Sequence, residues 1–490
     1  MKNTYKVVLF ITILILCYLG FLMYSNSLCL QVWDEARCAL QALAMSRNNN
    51  FIVTYYQDAP DMRYLKPPML IWIQAILFKL FSPSIFIFRL PSFVAAIGLC
   101  FFIWWYFIKY YSNYIIGLFF VIIIISCDGI ARIHGAKTGE YETLLLFFTT
   151  TYLISYFQFL QTENKKWLIL FFLLITSAVL TKGIQALIFT PAMFLYTAYT
   201  KKIKSVITTP YFFGGIIFFL FTVIGYYLLR EYYNHGYLMA VWNNELGGLY
   251  TTSLEGHKLP MEFYFKSLYE SRLGFWFAIF ILIIPTAISS ANSAFRKLNI
   301  YLLCCSIVYL LVISRSQTKT DWYDMLIYPL LTIIISISLF EILSLFYSNC
   351  TTNSQKIIFI LFTSFLFIFP IYLQLSKTFH LIKSQNSNNS MCTSYYLHQN
   401  LKKDIINLDN CYVQGDRECG YSAQIEFYQE LYKMKNQQLH LFFWNLDTIV
   451  APCKLITRFD DTKRHVEKYF DYTVLNEINQ LKVYELRNRK

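Results

Sequence analysis

"YKVVLFITILILCYLGFLMY" occupies residues 5–24. A helix of that length rises about 30 Å, the thickness of a hydrocarbon core. Lys2 and Lys6 flank its start and no small-residue cleavage site follows, so it reads as a retained signal-anchor span. Composition carries this reading across the chain. Of 490 residues, 56% are hydrophobic and 14% charged, where a soluble protein carries about 25% charged. The expected class is an α-helical polytopic membrane protein.

Further apolar runs lie near 88–108, 113–128, 141–160, 166–181, 184–199, 210–229, 273–289, 298–314, 325–346 and 356–376. The breaks at Lys109, "TENKK" (162–166), "KKIK" (201–204), "FRK" (295–297) and "SNCTTNSQK" (348–356) are basic and belong on the cytoplasmic side. With the N-terminus inside, about eleven spans place 25–87, 129–140, 230–272, 314–324 and the tail outside. "PPMLIWIQAILFKLF" (67–81) is too short to cross comfortably and carries Lys79. It is expected to be an interfacial or re-entrant helix of the first outer loop.

The net charge of +13 suits the positive-inside rule and anionic lipid headgroups. No zinc-finger spacing or RNA-binding motif accompanies it, so no nucleic-acid partner is expected. Residues 1–376 are expected to form the membrane domain and 377–490 a small extracytoplasmic α/β domain. In the tail, "HLFFW" (440–444), "YTVLNEI" (472–478) and "LKVYEL" (481–486) read as strands and "SAQIEFYQELYKM" (422–434) as a helix. Cys392, Cys411, Cys419 and Cys453 allow one or two disulfides there.

The predicted outer loops concentrate ionisable groups beside the spans, where such groups are expensive and mark functional sites. Asp34 and Glu35 open the helical stripe "DEARCALQALAMSR" (34–47). Consecutive helical residues point about 100° apart, so the two carboxylates have different roles. Asp34 is the candidate site residue and Glu35 reads as helix-start dressing. "ARIHGAKTGEYETLLLFF" (131–148) brings Glu140 and Glu142 beside Arg132, His134 and Lys137. Lys66 precedes two prolines at a helix start, a place that attracts anions. In "TKTDWY", Lys319 and Tyr323 are four apart and expected on one face of the next helix start. His257 stands alone in "EGHKLP".

In order, "WDEAR", "KPP" with "FRLPS" (88–92), "GAKTGEYETLLLFF", "LTKGIQALIFTPAMFLY" (180–196), "EGHKLPMEFYF" and "TKTDWYDMLIYP" form a set over about residues 30–330. The set resembles the GT-C membrane glycosyltransferases of the protein O-mannosyltransferase and aminoarabinose-lipid A transferase group. The resemblance implies a GT-C fold of about 11–13 transmembrane helices in the cell inner (cytoplasmic) membrane, with its site on the periplasmic side. It implies transfer of a sugar, with inversion, from a polyprenyl-phosphate carrier to a lipid, glycan or protein acceptor. Asp34 and Glu142 or Glu140 match the family's catalytic acids, and Lys66, Lys319 and Tyr323 match positions holding the donor phosphate. His257 matches a histidine associated with a metal, making a divalent ion the cofactor the resemblance admits. Leu65 stands where some relatives place a metal-binding Glu, and both second-loop acids are Glu where Asp is usual.

Such a transfer needs a base for the acceptor hydroxyl and positive groups for the departing phosphate. Asp34 and Glu142 supply acids, and Lys66, Arg272, Lys319 and Tyr323 a phosphate cradle. The rival reading is a transporter or flippase of lipid-linked sugar precursors. Transporters place ionisable groups at the bilayer midplane, often in repeated halves; here the groups sit in loops and no repeat is visible.

Overall fold

The polar breaks between apolar runs work as helix starts. In the computed structural model, which describes residues 2–22, 25–246, 259–385, 387–388, 391–417 and 420–490, three asparagines do this. Asn113 Oδ1 accepts from the N–H groups of Ile115 and Ile116, Asn164 Oδ1 from Lys166, and Asn292 Oδ1 from Ala294 and Phe295. Each satisfies donors a helix end leaves orphaned.

The first half of the chain forms α1 (Lys2–Cys17), α2 (Asp34–Asn48), a hairpin of β1 (Tyr55–Tyr56) and β2 (Ala59–Pro60), α3 (Met69–Leu80), α4 (Ile85–Tyr111), α5 (Tyr114–Ser126) and α6 (Tyr141–Thr162). Then come α7 (Lys165–Lys182), α8 (Thr190–Tyr199), α9 (Ile203–Ile207), α10 (Pro210–Tyr233) and α11 (Tyr237–Val241). After these follow α12 (Phe263–Ser267), α13 (Phe275–Ser289), α14 (Ser293–Arg315), α15 (Tyr328–Ser348) and α16 (Asn353–Gln385).

Among the described residues seven helices are long and apolar enough to cross a membrane: α4, α6, α7 with its extension to Leu187, α10, α14, α15 with the turn before it, and α16. An eighth is the segment Phe263–Arg272 joined to α13 through a 113° bend. Gly274 makes that bend at φ +54, a conformation open to glycine without penalty. Val8–Leu22, α3 and α5 are apolar but shorter. Each of the eleven predicted runs contains a helix, yet 184–199 is no continuous span. Gly183, at φ +63, opens a 3-10 turn, and Pro191 then restarts the chain as the ten-residue α8. Twelve residues give α3 about 18 Å, too little to span, consistent with an interfacial helix.

Within their apolar windows α6 is 89% buried, α16 17% and α10 6%. Helix α6 is therefore the central post and α10 faces lipid. The loops predicted to lie on one side do meet at one end of the bundle. Gln74 Nε2 donates to Gly139 O (2.8 Å), Arg230 Nη1 to Ile52 O (2.9 Å), and Gln374 Nε2 to Ala131 O (3.2 Å).

The C-terminal part joins them there. It comprises α17 (Cys392–Lys403), β3 (Cys411–Gln414), α18 (Ala423–Lys433), β4 (Leu439–Phe442), β5 (Cys453–Thr457), α19 (Asp460–Tyr469), β6 (Phe470–Ile478) and β7 (Leu481–Arg489). The sheet order is β4-β3-β5-β7-β6, parallel among the first three and antiparallel through β7 and β6. Helix α18 lies on α2: the backbone N–H of Leu30 donates to Tyr428 Oη (3.1 Å), and Arg47 pairs with Glu430 (2.6 Å). Cys392, Cys411 and Cys453 carry unbridged thiols, so no disulfide joins these three; Cys419 lies outside the described residues.

Candidate active site

A buried carboxylate ties the first two loops together, and it is Glu35. Its Oε1 accepts from Arg89 Nε (2.7 Å) and from the Gly139 N–H (2.9 Å). Its Oε2 accepts from Arg89 Nη2 (2.8 Å) and the Gln31 N–H (2.8 Å). Arg89, from "FRLPS" on α4, also holds the carbonyls of Leu28 and Cys29 at 2.9 Å each. Glu35 and Arg89 are 0% and 1% exposed, so the sequence reading of Glu35 as surface dressing is corrected. Helix geometry turns it inward, where a charge persists only when paired and hydrogen-bonded. Gly139 must be glycine: a Cβ there would sit 2.3 Å from the Phe88 ring.

This clamp sets the neighbouring acids. Asp34, in the first turn of α2, is half-buried, and its Oδ1 accepts a hydrogen bond from the Tyr64 hydroxyl. Glu140 is the N-cap residue of α6 and Glu142 lies in its first turn. Glu142 Oε1 pairs with Lys182 Nζ of α7 at 2.5 Å. Glu140 Oε2 stands 2.6 Å from His134 Nδ1 and accepts from Thr138 Oγ1 at 3.2 Å. The His134 ring stacks on Trp322, centroids 3.8 Å apart, which ties the second loop to 316–324. Burial pulls the His134 pKa down, but Glu140, Glu142 and Asp34 outweigh it and lift it to about 9. Burial raises Glu140 above the ordinary carboxylate range; His134 opposes that rise, and Glu142 and Glu35 add to it. Asp34, Glu140 and Glu142 thus share one electrostatic neighbourhood centred on His134.

The cations form an adjacent group. Lys66 Nζ meets Glu245 at 3.1 Å, and the two line a small cavity with Gln185, Ser316 and Tyr323. Lys182 bridges this group to the acids, its Nζ 5.4 Å from the centre of the Tyr323 ring. Lys319 is buried and donates to Ser316 O (2.6 Å). Residues 316–324 form a loop, with a 3-10 turn at Met325 and α15 only from Tyr328. Lys319 and Tyr323 therefore do not share a helix face; Pro329 in the first turn of α15 sets the later start. Arg272 pairs with Asp321 (2.9 Å) on that loop and does not line the Lys66 cavity. Next to Lys66 an apolar groove of about 430 Å³ runs between α7, α10 and α11, lined by Pro67, Val179, Leu187, Phe219 and Val223.

His257, the predicted metal residue, lies outside the described residues. Within them, His134, Glu140 and Glu142 offer one ligand atom each, all within 4.8 Å of one another. Glu140 Oε1 is buried with no hydrogen-bond partner, which suits a ligand set. Sequence reasoning missed Lys182 and Arg89 as partners. The signal was there: each is a cation set among apolar residues, Arg89 inside a run ("IFRLP") and Lys182 between two ("LTKG").

Residues 65–227 match the sequence model of the dolichyl-phosphate-mannose-protein mannosyltransferase family. An uncharacterized protein of Aquifex aeolicus (strain VF5) is 26% identical over 310 residues, 62% of this chain. The match spans 66% of that protein, just under two thirds of its length. ArnT from Cupriavidus metallidurans bound to undecaprenyl phosphate superposes with a TM-score of 0.68 over 99% of this chain and 98% of that one, at 12% identity. The oligosaccharyltransferase AglB from Archaeoglobus fulgidus, in complex with an inhibitory peptide and a dolichol-phosphate, gives 0.52 over 87% and 64%, at 10% identity. The chain has the GT-C fold of the ArnT-like type, as the motif order implied.

Proposed function

We propose that this protein transfers a sugar from a polyprenyl-phosphate donor to an acceptor hydroxyl, at the outer face of the cell inner membrane and with inversion. The observation that carries this is the junction of three unlike surfaces at one end of the bundle. These are a carboxylate cluster (Asp34, Glu140, Glu142), a cation pocket (Lys66, Tyr323) and an apolar groove opening beside Lys66. A lipid-linked sugar phosphate has those three parts.

In this reading the prenyl chain lies in the groove. Glu245 marks an anion position on the Lys66 ammonium that the donor phosphate takes, with the Tyr323 hydroxyl beside it. Lys319 and Arg272 support the cradle through Ser316 and Asp321. The acceptor oxygen bonds to the anomeric carbon, the carbon–phosphate-oxygen bond breaks with its electrons going to the phosphate, and the acceptor proton passes to Asp34. Tyr64 orients Asp34. Glu142, held by Lys182, stabilises positive charge developing at the sugar. His134, Glu140 and Glu142 would hold a divalent ion, which would supply Lewis-acid charge beside this cluster. The extracytoplasmic domain is taken to cover 377–490.

Purified protein incubated with a radiolabelled polyprenyl-phosphate sugar and a panel of lipid, glycan and peptide acceptors tests the proposal. Label should move to one class, and Asp34→Asn should stop it. Label that stays on the carrier throughout, or moves equally in the variant, sinks it.

A further inference from the structure

We propose that the acceptor is a neutral, hydrophilic glycan chain, and that it lies in the cleft between α2 and the C-terminal sheet domain. This rests on the transferase reading above and names the substrate class for the same site.

The cleft measures about 820 Å³, near the top of the ~300–1,000 Å³ range of small-molecule sites. Its walls come from the C-terminal half of α2, the β1–β2 hairpin, α18 and β4. None of these is a membrane span, and the apolar side chains in the wall, Leu40, Leu43, Ala44 and Leu441, are interleaved with polar ones, as the faces of a sugar ring require. The polar part of the lining is amide, carboxylate and phenol: Asn48, Asn50, Gln57, Asp58, Gln429 and Tyr55. Each amide and phenol both donates and accepts, as a row of sugar hydroxyls requires. Several are held in place already. Gln57 Nε2 donates to Glu426 Oε1 (3.0 Å), and Asn50 Nδ2 to Tyr55 Oη (3.3 Å).

Charge and backbone narrow the class. The lining carries three carboxylates (Asp58, Glu426, Glu430) against one guanidinium (Arg47), which is itself paired with Glu430. An anionic acceptor is repelled. Strand β4 is a sheet edge, where a peptide acceptor would add as a further strand. However, Gln429 Nε2 already occupies the Leu439 carbonyl at 2.9 Å.

A run of aromatic rings connects the cleft to the reacting carboxylate: Tyr56 of the lining lies 6.3 Å from Tyr421, which stacks on Trp33 beside Asp34. Asp34 opens the helix whose later turns form the wall. At 1.5 Å per residue, Leu40 lies about 9 Å and Arg47 about 20 Å along the axis from it. The Arg37 guanidinium stacks on Tyr56 of the cleft (3.3 Å) and lies 5.4 Å from Tyr64, which holds Asp34. At the reacting end Trp33 is 44% exposed, stacked on Tyr421 at 4.9 Å, and held at φ +68. A bulky residue seldom adopts that backbone, and such strain collects at ligand sites. A chain of several sugars with its terminal hydroxyl at Asp34 follows this path.

The test uses the full protein in nanodiscs with neutral linear hexasaccharides and disaccharides of glucose, mannose and N-acetylglucosamine. At least one hexasaccharide should bind tenfold or more tighter than its disaccharide and accept label. Ala44→Trp and Gln429→Trp, which fill the cleft from opposite walls, should each weaken that binding tenfold or more. Retained polyprenyl-phosphate binding certifies that the variants are folded. Hexasaccharides that bind no better than disaccharides, variants that leave binding intact, or label moving to a peptide or an acylated glycolipid would overturn the proposal. Failure of the transferase reading looks different: no donor is consumed with any acceptor, whatever the hexasaccharides do.

Discussion

Replacing Glu35 by Gln should damage the fold far more than a one-atom change suggests. The carboxylate receives four N–H groups, two from Arg89 and one each from Gln31 and Gly139, at 2.7–2.9 Å. A Gln amide keeps the shape but presents an NH2 to two of those donors. It also leaves Arg89, 1% exposed, without a counter-charge. Breaking a buried pair from one side costs about 3–5 kcal/mol, so the variant should lose that much. Thermal unfolding of Glu35→Gln, Arg89→Met and the double variant Glu35→Met/Arg89→Met in nanodiscs measures it. The double variant should be less destabilised than the two single losses summed, because the orphaned charge is gone. A Gln variant within about 1 kcal/mol of the parent refutes the clamp.

Asp34→Asn should reduce transfer by about 10²–10⁴-fold, the worth of a general base, with little change in unfolding temperature; loss of folding instead would show Asp34 to be structural. Lys66→Met should weaken polyprenyl-phosphate binding, measured by competition with labelled carrier, and unchanged binding would remove Lys66 from the phosphate pocket. The His134 pKa is lifted to about 9 from an ordinary value near 6.5. Its stabilising contribution is therefore complete below about 6.5 and disappears as pH rises through 9. The parent should lose unfolding temperature across that window relative to His134→Gln. The buried Lys137, lowered to about 8, titrates in both proteins and cancels in the difference; parallel curves would exclude the His134 pairing.

Hydropathy and basic breaks were enough to locate every long helix, because membrane crossing imposes length and composition locally. The run at 184–199 misled because composition does not report Gly183 and Pro191 breaking a helix that is otherwise apolar. In the tail, β6, β7 and α18 were legible from alternation and amphipathic spacing. The strands β3 and β5 were not, being central in the sheet and short. At the site, "WDEAR" and "EYE" exposed the acids. Nothing in one sequence pairs Glu35 with Arg89 or Glu142 with Lys182, since those contacts cross 54 and 40 residues. Helix geometry predicted that Asp34 and Glu35 point apart, and they do meet different partners, but which of them faced inward was a tertiary fact.

Glu140 and Glu142 are two residues apart yet meet different partners, and that decides how they can be told apart. Glu140 sits before the helix, beside His134 under Trp322; Glu142 has turned toward α7 and Lys182. Glu142→Gln strands a buried ammonium that is 4% exposed as a whole residue, so lost activity alone would not separate chemistry from folding. Removing both charges does. In Glu142→Gln/Lys182→Met no orphan charge remains, so unfolding temperature should recover toward the parent. Transfer should stay at least about 10²-fold down, because the charge facing the sugar is still missing. If the double variant regains activity together with stability, the pair is a structural strut and Glu140 inherits the catalytic role.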